Sequence, residues 1–315
     1  MKKIAFLFPG QGSQKVGMGK DLAQKLGSAE AIFDTADRVT GLPITRLCFE
    51  GPMEDLTQTV NLQPAITAVN LACLAAIQNA GIKPSVCAGH SLGEYSALYA
   101  AGVVTMEDCL KLVFKRGELM HREATRSEGA MSAVVGLTIE QVTGIVDAAA
   151  QNGVVAVANH NSAEQIVITG APGPVKAAGD LAAEKGARAI PLKVSGAWHS
   201  PLIQGAEDEF RAFLGQTPFN SPRCDVIHNV TADKESDSEQ IKTIMAQQLC
   251  SPVRWHDSML KMLDDQVDTF VEIGPGRVLT GLLRKIMPKD HAATIHNVYD
   301  LTTLEKFLKG AGLTI

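Results

Sequence analysis

The first apolar run, Ile4-Ala5-Phe6-Leu7-Phe8, follows two lysines and stops at Pro9-Gly10. Uninterrupted aliphatic character with no alternation marks a strand buried on both faces, and we place it from Lys2 to Phe8. A Gly10-Gln11-Gly12 loop follows. Met18, Leu22 and Leu26 then recur at helical spacing. A longer apolar helix spans about 63–80 and ends at Gly81, where a C-terminal glycine belongs. Ser85-Val86-Cys87-Ala88-Gly89 reads as a short buried strand, and 92–101 as a helix stopped by Gly102. Thr105-x-x-Asp108 opens another helix, running to about Thr125, with Asp in place of the usual Glu of a capping box.

From about Arg126 the pattern changes. Strands at 130–137, 154–159, 165–169 and 187–194 alternate with helices at 138–151 and 172–185, the first of which carries Ile139, Val142 and Ile145 on one face. The order β-α-β-β-α-β within about 70 residues predicts a ferredoxin-like sheet with two helices on one face. Beyond Val194 longer α/β elements resume, including a strand at 270–273, a Gly274-Pro275-Gly276 turn and a helix at 277–287. The expected organisation is a large α/β domain (1–125 and 197–315) carrying an inserted small domain (126–196).

Composition narrows the classes. The chain has 315 residues, 45% hydrophobic and 20% charged, an ordinary globular balance. Aromatics are only 5%, with 28 glycines, so the core is expected to be aliphatic and turn-rich. Lys and Arg total 29 against 34 Asp and Glu, which argues against a broad nucleic-acid surface. Five apolar residues are too few for a signal-peptide core, and no run of apolar residues reaches a membrane span. Six scattered cysteines without a C-x-x-C pair, and eight histidines without H-E-x-x-H spacing, predict neither a disulfide framework nor a zinc site. The expectation is a cytoplasmic, metal-free, cofactor-free protein that does not engage membranes.

Gly89-His90-Ser91-Leu92-Gly93 is G-x-S-x-G between a short apolar strand and an Ala-rich helix. That is the setting of a nucleophile elbow: a sharp turn exposes the serine at a helix N-terminus, whose unpaired N–H groups suit an acyl oxyanion. A serine needs a base. Among the histidines, His90 is too close in sequence to swing onto Ser91 and is expected to shape the pocket. His121, His291 and His296 read as helix or surface residues, and His160 as part of a turn. His199 follows Gly196-Ala197-Trp198, where the chain re-enters the large domain and a cleft should form. Position alone leaves other roles open for it. Arg116 borders the apolar face of its helix, three or four residues from Leu112, Val113, Leu119 and Met120. A buried guanidinium needs an anion. That anion could be an acidic side chain of the protein or the carboxylate of a substrate. The loop at Gln11 could turn one N–H toward a ligand, with the N–H of Leu92 as the second donor of an oxyanion hole.

These segments together resemble the malonyl-CoA:acyl carrier protein transacylases of bacterial fatty acid synthesis. The resemblance is carried, in order, by Phe8-Pro9-Gly10-Gln11-Gly12-Ser13-Gln14, Gly89-His90-Ser91-Leu92-Gly93-Glu94-Tyr95-Ser96-Ala97-Leu98, Arg116-Gly117, Asn159-His160-Asn161, His199-Ser200 and Glu272-Ile273-Gly274-Pro275-Gly276. It implies an α/β-hydrolase-like large domain with the small insertion. It also implies Ser91 as nucleophile, His199 as base, Arg116 as holder of the malonyl carboxylate, and the N–H groups of Gln11 and Leu92 as oxyanion hole. In this family a backbone carbonyl orients the histidine; the matching position is Gln248, with Gln247 beside it. His90, Trp198 and Asn159 are the implied pocket residues. Trp198 departs from the Phe usual in malonyl-using members, and should crowd the malonyl α-carbon at least as well. The implied partners are malonyl-CoA and an acidic, phosphopantetheinylated acyl carrier protein, met by a local basic patch for which Arg284 and Lys285 are candidates; a monomer is expected. A serine hydrolase, a non-catalytic carrier-binding module, and an acyltransferase of a polyketide synthase or of malonate decarboxylase are the alternatives.

Overall fold

The computed structural model describes residues 3–194 and 196–310; the expected strand start at Lys2 lies outside them. The described residues include nine strands: β1 (Ile4–Phe8), β2 (Val86–Gly89), β3 (Ala130–Val135), β4 (Val155–Ser162), β5 (Gln165–Gly170), β6 (Arg188–Pro191), β7 (Asp225–Ile227), β8 (Thr269–Ile273) and β9 (Thr294–Val298). They form two sheets. One is parallel throughout, in the order β7-β2-β1-β8-β9. The other is antiparallel, in the order β4-β5-β3-β6, the ferredoxin-like order that the element pattern predicts.

The unbroken apolar runs of β1 and β2 are explained by burial on both faces. Phe6, Phe8 and Cys87 point into one core with the helices Gly27–Thr40, Thr59–Asn79 and Met106–Arg126. Ala5, Leu7, Val86 and Ala88 point into a second core with Trp255, Met259, Leu279 and Leu283 from the helices Trp255–Asp264 and Val278–Ile286. In the antiparallel sheet, Val134, Ile166 and Ile168 pack under the helices Ile139–Ala149 and Pro172–Glu184. Met131, Ala133 and Val167 on the opposite face join the first core. The small sheet is therefore packed against the large body through its own apolar side.

Three expectations are corrected. His160 lies in β4, not in a turn, because that strand runs to Ser162 through two register shifts. The helix placed at 63–80 starts at Thr59 and carries Pro64 in its second turn, where the ring removes the N–H that would bond the Val60 carbonyl. On length and overall apolarity that helix would suffice to cross a bilayer, which counting unbroken apolar runs did not reveal; 83% of its apolar window is buried inside the protein. At Thr105 the hydroxyl accepts from the Asp108 N–H and donates to its carboxylate. The full reciprocal capping box is at Thr138 and Gln141.

Candidate active site

In a parallel sheet, the loops leaving the carboxyl ends of neighbouring strands share one edge, where clefts form. Here β1 delivers the Gly10-Gln11 loop and β2 delivers the serine turn, side by side. Ser91 has φ 50°, the left-handed conformation of a strained elbow. The flanking glycines are required by space. A Cβ on Gly93 would lie 2.0 Å from the Phe8 carbonyl oxygen, and one on Gly89 would lie 1.9 Å from the Gly93 carbonyl carbon. A Cβ on Gly10 would meet the His90 carbonyl at 2.5 Å, so the two loops touch backbone to backbone. Asn70, buried on the long apolar helix, ties them together by donating to the Pro9 carbonyl (3.0 Å) and the Ser96 hydroxyl (3.2 Å). Glu272 accepts from the N–H groups of Leu279 and Thr280, so the Glu272–Gly276 motif caps the next helix.

His199 reaches the elbow from the loop after β6, itself at φ 59°. Its Nε2 lies 2.8 Å from Ser91 Oγ. Its Nδ1 faces two carbonyls, Gln248 O at 2.9 Å and Ser251 O at 3.1 Å. Carbonyls only accept, so Nδ1 carries the hydrogen and the Nε2 lone pair is left for the serine proton. Gln248 caps the C-terminus of the helix Ser238–Gln247, a place where carbonyls lack helical partners. Gln247 is exposed and points elsewhere. Burial strips hydration from an imidazolium at His199, and Arg116 repels it. Together they hold the ring's pKa at about 3 in spite of the two carbonyls.

This gives a pH prediction. The ring stays neutral far below the ordinary histidine range, so kcat/KM should show no acid inflection between about pH 5 and 7. A pH–rate profile falling through about 6.5 would contradict this environment for His199.

Arg116 is 1% exposed. Its Nη1 donates to Gln63 Oε1 (3.0 Å), and its Nη2 to Gln248 Oε1 (3.2 Å) and Ser91 Oγ (3.1 Å); Nε has no partner. Among the described residues no carboxylate pairs with it. The buried acid in this region, Glu94, is taken by His228 Nδ1 (2.8 Å), Gln248 Nε2 (2.6 Å) and the Asn229 N–H (3.3 Å). The guanidinium is thus held by neutral amides beside the serine, its charge unmatched by an ion pair.

A cleft opens onto these groups, lined by Gln11, Leu92, Met120, Met131, Asn159 and Trp198 as well as Ser91, His199 and Arg116. His90 also faces it, with Nε2 at 2.8 Å from Asn161 Oδ1. All nine residues expected at the site lie in or directly around this cleft. Four that carry its geometry were not foreseen. Asn229 accepts from the Ser91 N–H (2.7 Å) and donates to the Gly89 carbonyl (2.7 Å), pinning the elbow. Glu94 and Gln63 hold the Gln248 and Arg116 side chains, and Asn161 holds His90. Glu94 had a legible signal, an acid inside an apolar first helical turn. The other three are amides brought in by tertiary packing.

Comparison with known proteins places this geometry. Residues 5–304 match the family model described as acyl transferase domain. The malonyl CoA-acyl carrier protein transacylase of Bacillus subtilis (strain 168) is 44% identical over 288 residues, 91% of each chain. An acyl carrier protein S-malonyltransferase from Vibrio cholerae superposes with a TM-score of 0.92 at 42% identity, covering 97% of this chain and 100% of that one. A malonyl-transacylase solved in complex with its type II PKS acyl-carrier protein superposes with a TM-score of 0.94 at 38% identity, covering 98% and 100%. The chain belongs to the malonyl CoA-acyl carrier protein transacylase family of acyl transferases.

Proposed function

We propose that this protein moves a malonyl group from malonyl-CoA to the phosphopantetheine thiol of acyl carrier protein, through a malonyl-Ser91 intermediate. The observation that carries the substrate is the Arg116 guanidinium, buried 3.1 Å from the serine oxygen and, among the described residues, without a carboxylate of its own. A malonyl carboxylate supplies that counter-charge in the planar geometry a guanidinium fork matches.

The steps follow from the geometry. With the carboxylate on Arg116, the thioester carbonyl lies over Ser91. His199 Nε2 takes the hydroxyl proton as Oγ attacks, and the N–H groups of Gln11 and Leu92 receive the oxyanion. Protonated His199 gives its proton to the departing coenzyme A thiolate. The carrier thiol then repeats the sequence in reverse roles. Substrate binding also prepares the base: pairing Arg116 with a carboxylate offsets the charge that depresses the His199 pKa, and so raises its basicity when it is needed. Two carbonyls orient the ring without the full charge of a carboxylate. Trp198, whose indole would lie 2.7 Å from any Cβ at Gly196, narrows the cleft against α-branched acyl groups. No step requires a cofactor.

A groove lined by Gln11, His90, Asn161, Arg277 and Lys285 adjoins the cleft, and we place the pantetheine arm in it. Arg284 and Lys285 are exposed at its end, where an acidic carrier would be met. The antiparallel unit fits an insertion spanning 126–196 in a large domain made of 1–125 and 197–315. A cytoplasmic monomer feeding fatty acid synthesis is the setting we infer; a polyketide carrier would use the same chemistry.

Transfer and hydrolysis separate in one assay. With malonyl-CoA alone, the enzyme should release coenzyme A in a burst of about one equivalent and then nearly stop, and holo acyl carrier protein should restart turnover. Sustained release of free malonate without a carrier would make it a hydrolase.

A further inference from the structure

Away from the cleft, three potential metal ligands converge where the small sheet meets the large body. His160 comes from β4, and His256 and Asp257 from the first turn of the helix Trp255–Asp264. His160 Nδ1 and His256 Nδ1 each lie 3.6 Å from the same oxygen, Asp257 Oδ1. The two imidazoles face each other with centroids 4.6 Å apart. The ligand atoms of all three residues lie within 4.8 Å of one another. At 3.6 Å neither imidazole makes a hydrogen bond to the carboxylate. His256 Nδ1 is fully buried and has no hydrogen-bond partner, so a polar atom points into the cluster unsatisfied.

We infer that His160, His256 and Asp257 form a binding site for a divalent transition metal of the zinc or cobalt type, bridging the antiparallel sheet to the large body. Two imidazoles and one carboxylate are the donor set such ions favour over magnesium or calcium, which take oxygen ligands. Tetrahedral coordination at about 2.0–2.2 Å sets ligand atoms roughly 3.3–3.5 Å apart. The 3.6 Å separations are close to that spacing. The backbone is already fixed around the site. The His160 N–H donates to the Val253 carbonyl (2.9 Å), and the Val253 N–H to the Ala158 carbonyl (2.8 Å), so β4 is stitched to the segment leading into the helix. Arg254 occupies the other oxygen, Asp257 Oδ2, through Nε (2.9 Å) and Nη2 (2.8 Å). It orients the carboxylate as an outer partner does, while its charge sets a modest rather than extreme affinity. Three protein ligands leave a coordination position for water. On β4 the site lies between Asn159, which lines the cleft, and Asn161, which lines the adjoining groove and holds His90. Metal would therefore brace the strand that supports the pocket wall without touching the reacting groups.

The spacing of 96 residues between the two histidines hides this cluster from any motif search. Cobalt(II) is the probe, because its spectrum reports ligand type. Chelator-treated full-length protein titrated with cobalt chloride should develop visible d–d bands saturating at one equivalent, without the near-ultraviolet charge-transfer band of a thiolate ligand. Zinc should displace it, and either ion should raise the unfolding temperature. His256→Gln and Asp257→Asn, both at partly exposed side chains, should each weaken cobalt binding by about tenfold or more. Circular dichroism identifies a variant that has lost its fold, and either one folded variant decides the matter. Absence of the bands under excess cobalt, a thiolate signature, or undiminished binding in a folded variant would overturn the assignment.

Discussion

Arg116→Ala should lower kcat/KM for malonyl transfer by about 10²–10³-fold, while acetyl transfer from acetyl-CoA changes by less than about tenfold. The magnitude comes from hydrogen bonds to a charged group, worth roughly 1.5–3 kcal/mol each, two of which a fork-shaped pair forms at once. Burial makes the effect large. Arg116 is held by the amides of Gln63 and Gln248, and among the described residues no carboxylate pairs with it. The alanine variant leaves a malonyl carboxylate in a cleft with no cation to receive it. Arg116→Lys should recover only part of the loss, because an ammonium keeps the charge and lacks the planar fork. Acetyl-CoA carries no carboxylate, so its transfer measures what Arg116 contributes through the Ser91 hydroxyl and the packing around Gln248. Steady-state kinetics with the two substrates separates these contributions. Equal losses for both would make Arg116 a structural residue.

Ser91→Ala and His199→Ala should each reduce kcat for transfer by roughly 10⁴-fold or more, and the double variant should be no worse than either alone. The reason is the single hydrogen bond of 2.8 Å between Oγ and Nε2, which makes nucleophile and base one unit. Gln248→Ala contrasts with them. The carbonyl that accepts from His199 Nδ1 belongs to the backbone and survives the substitution. What is lost is the amide bridging Arg116, Glu94 and the Ser91 carbonyl, so the defect should be milder and fall on malonyl more than on acetyl. Rates over malonyl-CoA and acetyl-CoA ranges for the four variants resolve this ordering. Strictly additive losses for Ser91 and His199 would show that they act separately.

The elbow was legible because its requirements are local. A short strand, a helix and two flanking glycines are sequence features, and the space those glycines must leave is set by backbones within a few residues or on the adjacent strand. The antiparallel unit was legible from the alternation of elements, with strand ends off by a few residues where β4 continues through its irregular pairings to Ser162. The edge strands of the parallel sheet were not. β7 has three residues, and β9 is half-buried, so neither presents an apolar run. The helix Ser238–Gln247 went unread as well, although the backbone that orients His199 depends on it. A carbonyl carries no side-chain signature, so Gln248 could be named only through resemblance. Position alone left the role of His199 open; the resemblance named it as the base, and the fold sets it against Ser91, 108 positions away. Asn229 lies 138 positions from the serine whose N–H it accepts, and nothing near it in sequence suggests that role.

The account rests on a malonyl group passing through Ser91 oxygen. The direct measurement is intact-protein and peptide mass spectrometry after brief incubation with malonyl-CoA alone. The wild-type chain should gain one malonyl group, mapped to the peptide containing Ser91 and discharged on adding holo acyl carrier protein. Ser91→Ala should gain none. A malonyl adduct on another residue, or undiminished transfer by Ser91→Ala, would contradict the account.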